Sequence, residues 1–220
     1  MKNILLKFFI YLFSLLFYFN VMAFEESEYK IVKKTDIYEI RHYPERIVAQ
    51  VIFGNEDSGF QKLFRYISGS NNSTQEIKMT TPVNQERLKE KTIMQFFLPS
   101  KYTLENAPIP KDPNVTIASI QEGYYAVIQY SGRSSDRNFI KHYEILRSAL
   151  ERDNISFFGS PIKATYDGPY TLPLLRRNEA MFIIQFGLLF FKCKSRMLNL
   201  SSEFGKSRKN ISSNLPFLNN

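Results

Sequence analysis

A pattern of residues that occurs twice, at an offset of about 80 residues, constrains the fold of this chain more than any other feature. Each copy begins with an alternating apolar segment, which predicts a strand, and continues into a segment with helical spacing. The matched pairs are Ala49-x-Val51-x-Phe53 with Ala126-x-Ile128-x-Tyr130, and Phe60-x-Lys62-x-Phe64 with Phe139-x-Lys141-x-Tyr143. Their common order predicts a duplicated ββαββ unit.

Two such units predict an α+β fold. They can pair into one antiparallel sheet or distorted β-barrel that carries a helix on each outer face. A groove is expected where helix meets sheet, and such grooves are common ligand sites. The high aromatic content of 15%, all Phe and Tyr, is typical of strands and of an aromatic-lined interior.

The first predicted helix carries an apolar stripe. Phe60, Leu63, Phe64 and Ile67 lie at positions i, i+3, i+4 and i+7, and Ser58 is a suitable N-cap. Two interpretations follow. The stripe seals a small core, or part of it faces a flat apolar ligand.

The remaining segments complete both units. Residues 29–43 are predicted as one strand that ends at Pro44, and a charged loop is predicted at 86–90. A connector rich in proline, residues 101–113, separates the two halves. Further strands are predicted at 47–53, 76–84, 92–98, 114–120, 124–131, 160–166 and 179–186, and a second helix from 136 to about 153.

Both ends of the chain differ from the middle. Residues 1–23 combine Lys2 and Lys7 with an apolar run and a small-residue ending, which predicts a signal peptide and a periplasmic or secreted protein starting near Phe24. An uncleaved anchor helix is the alternative, and a span after cleavage is not expected. Residues 187–220 form a basic tail to which we assign no function.

The net charge of +8 does not indicate a nucleic-acid partner, because its sources lie at the ends. Residues 187–220 carry six basic residues and one acid, and residues 1–23 carry two lysines, which leaves residues 24–186 at +1. A near-neutral body lacks the basic surface that phosphates require.

Catalytic and metal-binding motifs are scarce. The chain holds two histidines and one cysteine, with no HExxH, CxxC, CxxCH or GxSxG motif. The sequence therefore argues against an enzyme, a protein-built metal site and covalent haem attachment. His42 has two interpretations, a half-exposed imidazole at a strand end or an axial ligand to haem iron.

Several segments, in order over residues 38–183, resemble the SOUL/haem-binding protein family. The segments are Tyr38-Glu-Ile-Arg-His-Tyr43, the helix 60–67, Ile77-Lys-Met-Thr-Thr-Pro-Val83, Phe97-Leu-Pro99, residues 126–132, Gly168-Pro-Tyr-Thr-Leu-Pro173 and Arg176-Arg-Asn-Glu179. The resemblance implies the duplicated fold, shared with bacterial effector-binding domains. It also implies non-covalent binding of haem or another tetrapyrrole beside the first helix.

The resemblance assigns roles to particular positions. It implies that Phe60, Leu63, Phe64 and Ile67 line the groove, that Arg65 meets a propionate, and that His42 is the axial ligand used by some members. It further implies that Arg176 or Arg177 pairs with a glutamate. The predicted function is an exported haem carrier or scavenger that is not an enzyme.

Three alternatives remain open at this stage. The groove can belong to an effector-binding module for another planar hydrophobic ligand, and a cationic ligand would require a buried carboxylate. An enzyme acting on tetrapyrroles and a structural interaction protein are the others.

Overall fold

The computed structural model describes residues 24–54 and 58–185. The predicted signal peptide, 1–23, and the predicted tail, 187–220, lie outside the described residues. The elements are β1 (Glu25–Glu26), β2 (Lys30–Lys34), β3 (Glu39–Tyr43), β4 (Arg46–Phe53), α1 (Gly59–Ile67), β5 (Thr80–Thr81), β6 (Val83–Leu88), β7 (Lys91–Phe97), β8 (Val115–Ile120), β9 (Gly123–Tyr130), α2 (Asp136–Arg152), β10 (Phe157–Thr165), a 3₁₀ turn (Pro173–Leu175) and β11 (Asn178–Ile184).

Nine strands form one curled antiparallel sheet in the order β2-β3-β9-β11-β10-β6-β7-β4-β8. The first unit is β3-β4-α1-β6-β7, and the second is β8-β9-α2-β10-β11. The first strand of each unit pairs with a strand of the other unit: β3 pairs with β9, and β8 pairs with β4. The pairing of β6 with β10 joins the two halves. The α+β class and the duplicated ββαββ unit are therefore confirmed.

Local sequence sets the ends of both helices. The Ser58 hydroxyl accepts a hydrogen bond from the Gln61 amide at 3.4 Å, and Ser135 accepts one from the Asn138 amide at 3.3 Å. Both serines are N-caps that satisfy a free amide of the first turn. Gly69, with φ of 101°, lies just beyond α1 in the left-handed conformation that glycine adopts without a steric cost.

Both helices pack on the same face of the sheet, over separate cores. Ala49 of β4 lies under α1 and its repeat partner Ala126 of β9 lies under α2, each fully buried. Small residues at these positions let the helix approach the sheet closely. The opposite face buries a third cluster around Tyr43, Tyr125 and Met181.

Tyr66 anchors α1 to the connector. Its side chain is 1% exposed, and its hydroxyl donates a hydrogen bond of 2.8 Å to the Pro108 carbonyl. Burial, and to a smaller extent Tyr102, raises the pKa of the Tyr66 hydroxyl to about 12. A raised pKa means that the neutral phenol stabilises the fold below pH 10 and that this contribution is lost between pH 10 and 12.

We therefore predict that Tyr66→Phe lowers the free energy of unfolding by about 1 kcal/mol at neutral pH, because it removes one buried hydrogen bond. Urea titrations at increasing pH should also show a shallower loss of stability for this variant above pH 10. Tyr170→Phe is the control, because Tyr170 is 98% exposed. An equal loss of stability above pH 10 in both variants would contradict the prediction.

Three local predictions were wrong. Residues 29–43 form two antiparallel strands, β2 and β3, because the Thr35 hydroxyl and backbone turn the chain onto Tyr38. Residues 76–84 do not form one strand, because Pro82 separates β5 from β6. Most of the predicted loop 86–90 belongs to β6, and the turn is confined to positions near Lys89, whose φ is 56°.

Candidate ligand groove

A cavity of about 770 Å³ lies between α1 and α2, above the strands where the two halves meet. Its volume falls within the usual range for small-molecule sites. Phe53, Gly59 and Phe60 line one wall, and Phe139, Ile140 and Tyr143 line the other; the floor and rim include Gln85, Arg87, Lys89, Thr92, Met94, Ser160, Pro161 and Lys163.

The groove exists because the helices cover the outer parts of the sheet and leave its centre open. Strand register places Lys163 opposite Gln85, and Gln85 opposite Met94, in one row across β10, β6 and β7. Successive residues of a strand point to opposite faces, so these three side chains all lie on the helix side. They form the floor between the two walls.

Aromatic rings stand on both walls. Phe60 is 44% exposed, and its ring centroid lies 5.2 Å from Phe96 in an edge-to-face contact and 6.0 Å from the stacked Phe64 ring. Phe139 lies 5.2 Å from Tyr143, also edge to face. The two phenylalanines are the partners of the sequence repeat. A flat apolar molecule between the walls would contact both.

Two cations lie at the rim. Arg87 and Lys89 are exposed and alternate with Gln85, which places them on the groove side of β6 and its turn. Within residues 24–54 and 58–185, the structure gives neither of them an acidic partner. Lys163 differs, because its ammonium donates to the Ser134 carbonyl at 3.1 Å and to Asp136 at 3.2 Å.

Among the described residues that line the groove, Tyr143 is the one phenol. Burial, with a smaller effect from the Glu144 carboxylate, raises the pKa of Tyr143. The Tyr143 hydroxyl is therefore neutral at physiological pH, and it hydrogen-bonds to the Glu144 carboxylate. The groove combines apolar walls, neutral polar groups and the rim cations Arg87 and Lys89, and the Asp136 carboxylate in its lining is paired with Lys163. This combination suits a flat molecule that carries carboxylates.

The structure places the predicted residues of the first helix at different depths. Phe60 lines the groove, while Phe64 is 50% exposed and Arg65 is exposed on the outer surface of α1. Leu63 is fully buried and Ile67 is 5% exposed, and both pack in the core between α1 and the sheet. Their predicted roles in ligand binding stay predictions, but these positions do not converge on one surface.

His42 lies away from the groove. Its half-buried ring packs 4.7 Å from Tyr124, and β9 and β11 separate its strand β3 from β10. Three strand spacings correspond to about 14 Å. His142 has a structural environment, with Nδ1 2.7 Å from the Asn138 carbonyl and its ring stacked 4.1 Å from Tyr130. The axial-ligand role of His42 stays a prediction.

Sequence reasoning missed the second wall of the groove. Phe139, Ile140 and Tyr143 were assigned only to a helix, although the repeat already paired Phe139 with Phe60. A ligand role for one helix of a duplicated unit applies by symmetry to the other, so the repeat held this signal. Arg87 and Lys89 were also missed, because they belong to a segment that the sequence predicted as a solvated loop.

A buried ionic cluster occupies the face of the sheet opposite the groove. The Glu179 carboxylate is fully buried and accepts hydrogen bonds from Arg41 at 3.0 and 3.1 Å, from Arg177 at 2.9 and 3.0 Å, and from the Tyr166 hydroxyl at 2.8 Å. The predicted pair between Arg177 and a glutamate is confirmed. Burial lowers the pKa of Arg41, but the combined effects of Glu179, Tyr43 and Glu39 outweigh it and the pKa is raised.

Comparisons with known proteins identify both the fold and the family of this chain. The C-terminal domain of EcmrR has this fold, with a TM-score of 0.53 at 14% identity, over 72% of this chain and 99% of that domain. The chain belongs to the SOUL heme-binding protein family, whose model matches residues 24–183.

Two relatives are named heme-binding proteins. Heme-binding protein 2 of Homo sapiens is 31% identical over 67% of this chain and 78% of its own length. Heme-binding protein 1 of Xenopus laevis is 26% identical over 72% of this chain and 92% of its own length.

Within the described residues, no helix is long and apolar enough to cross a bilayer, and no group of three or more His, Cys, Asp or Glu side chains could hold a metal ion.

Proposed function

We propose that the protein binds haem, or another tetrapyrrole, non-covalently in the groove between α1 and α2. One observation carries the proposal. Phe60 and Phe139 line opposite walls of a cavity of about 770 Å³ whose rim carries Arg87 and Lys89. A tetrapyrrole presents a flat apolar ring to the walls and two carboxylates to the rim.

We further propose that the protein is an exported carrier or scavenger. The signal-peptide pattern of residues 1–23 supports export, and the intact mass of the exported chain should correspond to a start near Phe24. The open groove supports reversible binding, so tetrapyrrole extracted from the complex should be chemically unchanged. A shifted absorption spectrum of the extract would instead indicate an enzyme.

A second candidate is a binding module for another planar hydrophobic compound. The charges of the molecule favour an anionic ligand over a cationic one. The rim residues Arg87 and Lys89 are basic, and the Asp136 carboxylate in the lining is paired with Lys163. The buried Glu179 carboxylate lies on the other face and is paired with Arg41 and Arg177. A cationic dye that competes with haem at equal concentration would support the second candidate.

The test is a haem titration of the full chain, followed by the Soret band, with two aspartate variants of α2. Ile140 lines the groove and is 47% exposed, whereas Ile145 is 40% exposed and does not line it. Ile140→Asp should weaken haem binding by at least about tenfold, because it places a charge in an apolar contact. Ile145→Asp is the matched control and should bind as the wild type does.

The same titration separates two binding modes. His42→Ala should leave both the Soret spectrum and the affinity unchanged if haem lies in the groove, because His42 is distant from it. A lost affinity in His42→Ala, together with full binding by Ile140→Asp, would overturn the groove proposal in favour of a site near β3. Failure of the wild type to bind either haem or protoporphyrin IX would remove the tetrapyrrole assignment altogether.

A further inference from the structure

The connection between β10 and β11 presents an apolar tip to solvent. Tyr170 is 98% exposed, Leu172 67%, Leu174 85% and Leu175 72%. A single exposed apolar side chain is common on a protein surface, but four within six positions form a continuous patch that indicates an interaction site. We call residues 168–176 the apolar loop.

The apolar loop has a folded backbone. The Arg176 side chain donates to the Thr171 carbonyl at 2.8 Å and also to the Pro169 carbonyl. The Gly132 amide donates to the Pro173 carbonyl at 2.8 Å, and the Leu175 amide donates to the Leu172 carbonyl at 2.9 Å. These bonds fix the turn, so the leucines point outward from a defined surface and are not simply part of an unstructured segment.

One exposed arginine lies beside the apolar loop, and a second lies at the start of α2. Arg133 lines a shallow depression with the loop, and Arg137 follows at the start of α2; both are exposed. Neither has an acidic partner in the part of the chain that the structure describes. The nearby acids have other partners. Asp136 forms an ion pair with Lys163 at 3.2 Å, and Asp167 accepts a hydrogen bond of 2.6 Å from the Arg177 amide.

We propose that the apolar loop inserts into the surface of an anionic lipid bilayer. Leucines enter the acyl boundary, a tyrosine remains at the headgroup level, and arginines pair with lipid phosphates, which together produce binding to an anionic interface. The shape of the tip supports this partner. A patch of highly exposed side chains fits a fluid bilayer, whereas a protein partner would need a cavity of matching shape.

Docking through this loop would bring the ligand groove close to the bilayer. Ser134 lines the depression under the loop, and its carbonyl accepts the hydrogen bond from Lys163 on the groove floor. The start of α2 therefore separates the two features by little more than one side chain. A flat apolar ligand dissolves in membranes, so a docked carrier could exchange its ligand there; this last step rests on the proposed function.

A tryptophan at position 170 tests the insertion directly. The chain contains no tryptophan, so Tyr170→Trp in the full chain gives one local reporter. With phosphatidylcholine vesicles that contain phosphatidylglycerol, its fluorescence should shift to shorter wavelength and be quenched by brominated acyl chains. Leu104→Trp is the control, since Leu104 is 50% exposed in the connector and should show neither effect.

Two leucine substitutions measure how much the leucines contribute to membrane partitioning. Leu172→Ser with Leu174→Ser, made in the Tyr170→Trp chain, should reduce partitioning to the anionic vesicles by roughly tenfold. Equal shifts at positions 170 and 104, or no quenching at 170, would overturn the proposal. Without vesicles, a fluorescence shift that rises with protein concentration would assign the loop to self-association. Poor quenching by acrylamide, also without vesicles, would assign the loop to contact with another segment of the chain.

Discussion

Replacing Glu179 with alanine is expected to lower the free energy of unfolding by about 3–5 kcal/mol, the usual cost of breaking a buried ion pair. The carboxylate is fully buried between the guanidinium groups of Arg41 and Arg177. Its removal leaves Arg41, whose side chain is 3% exposed, with Glu39 as its acidic partner at 2.8 Å and with a second set of donors that water cannot reach. Urea unfolding monitored by circular dichroism measures the loss.

Two further variants separate charge from packing. Glu179→Gln keeps the side-chain volume and removes the charge, so it should still be destabilised by at least about 2 kcal/mol. Glu144→Ala is the surface control, because Glu144 and its partner Arg147 are nearly half exposed and their contact of 3.4 Å should contribute less than about 1 kcal/mol. A Glu179→Gln protein as stable as the Glu144→Ala protein would show that the buried charge is not needed.

The ionic cluster also explains how the face of the sheet opposite the two described helices remains closed. Arg41 stacks 4.3 Å above the Tyr29 ring, and Arg177 stacks 3.8 Å above the Tyr166 ring while it pairs with Glu26 at 2.9 Å. The N-terminal strands are thereby attached to β11. The cluster stabilises the scaffold, and the helix face remains available for a ligand.

The repeat in the sequence predicted the architecture because it reflects local rules that act twice. Alternating residues around Ala49 and Ala126 specify strands, and the capping residues Ser58 and Ser135 specify where helices begin. These signals depend only on neighbouring residues. The order of the elements and the fold class could therefore be predicted without the structure.

The depth of each side chain on α1 could not be predicted in this way. The spacing grouped Phe60 and Phe64 with Leu63 and Ile67, but the helix turns Leu63, Tyr66 and Ile67 toward the sheet. Tyr66 is drawn inward by the Pro108 carbonyl, a partner 42 positions away in the chain. Contacts at such separations are set by the tertiary fold, and the helical period alone does not contain them.

The groove depends on long-range contacts even more strongly. Its walls come from helices on separate repeats, and its floor exists because Lys163 of β10 pairs in register with Gln85 of β6. A single-residue slip of that register would place the two side chains on opposite faces of the sheet. The rim charges on β6 could not be assigned to a site until this register was known.

Reversing the two rim charges should have the largest effect on ligand binding. Arg87→Glu combined with Lys89→Glu is expected to weaken the binding of protoporphyrin IX by roughly a hundredfold at low salt, because two attractions to carboxylates become repulsions. Both residues are exposed, so folding should be little affected. Lys78→Glu, at an exposed position that does not line the groove, is the matched control.

The ligand supplies a second control for this prediction. The dimethyl ester of protoporphyrin keeps the flat apolar ring and lacks the carboxylates, so its affinity should be the same for the wild type and the double variant. The free acid should bind more tightly than the ester to the wild type, and this difference in affinity should disappear only when the charges of Arg87 and Lys89 are reversed. Added salt should reduce the difference in affinity because the rim is exposed. Equal losses for acid and ester would mean that the substitutions distort the walls, and no loss for either would place the ligand outside the groove.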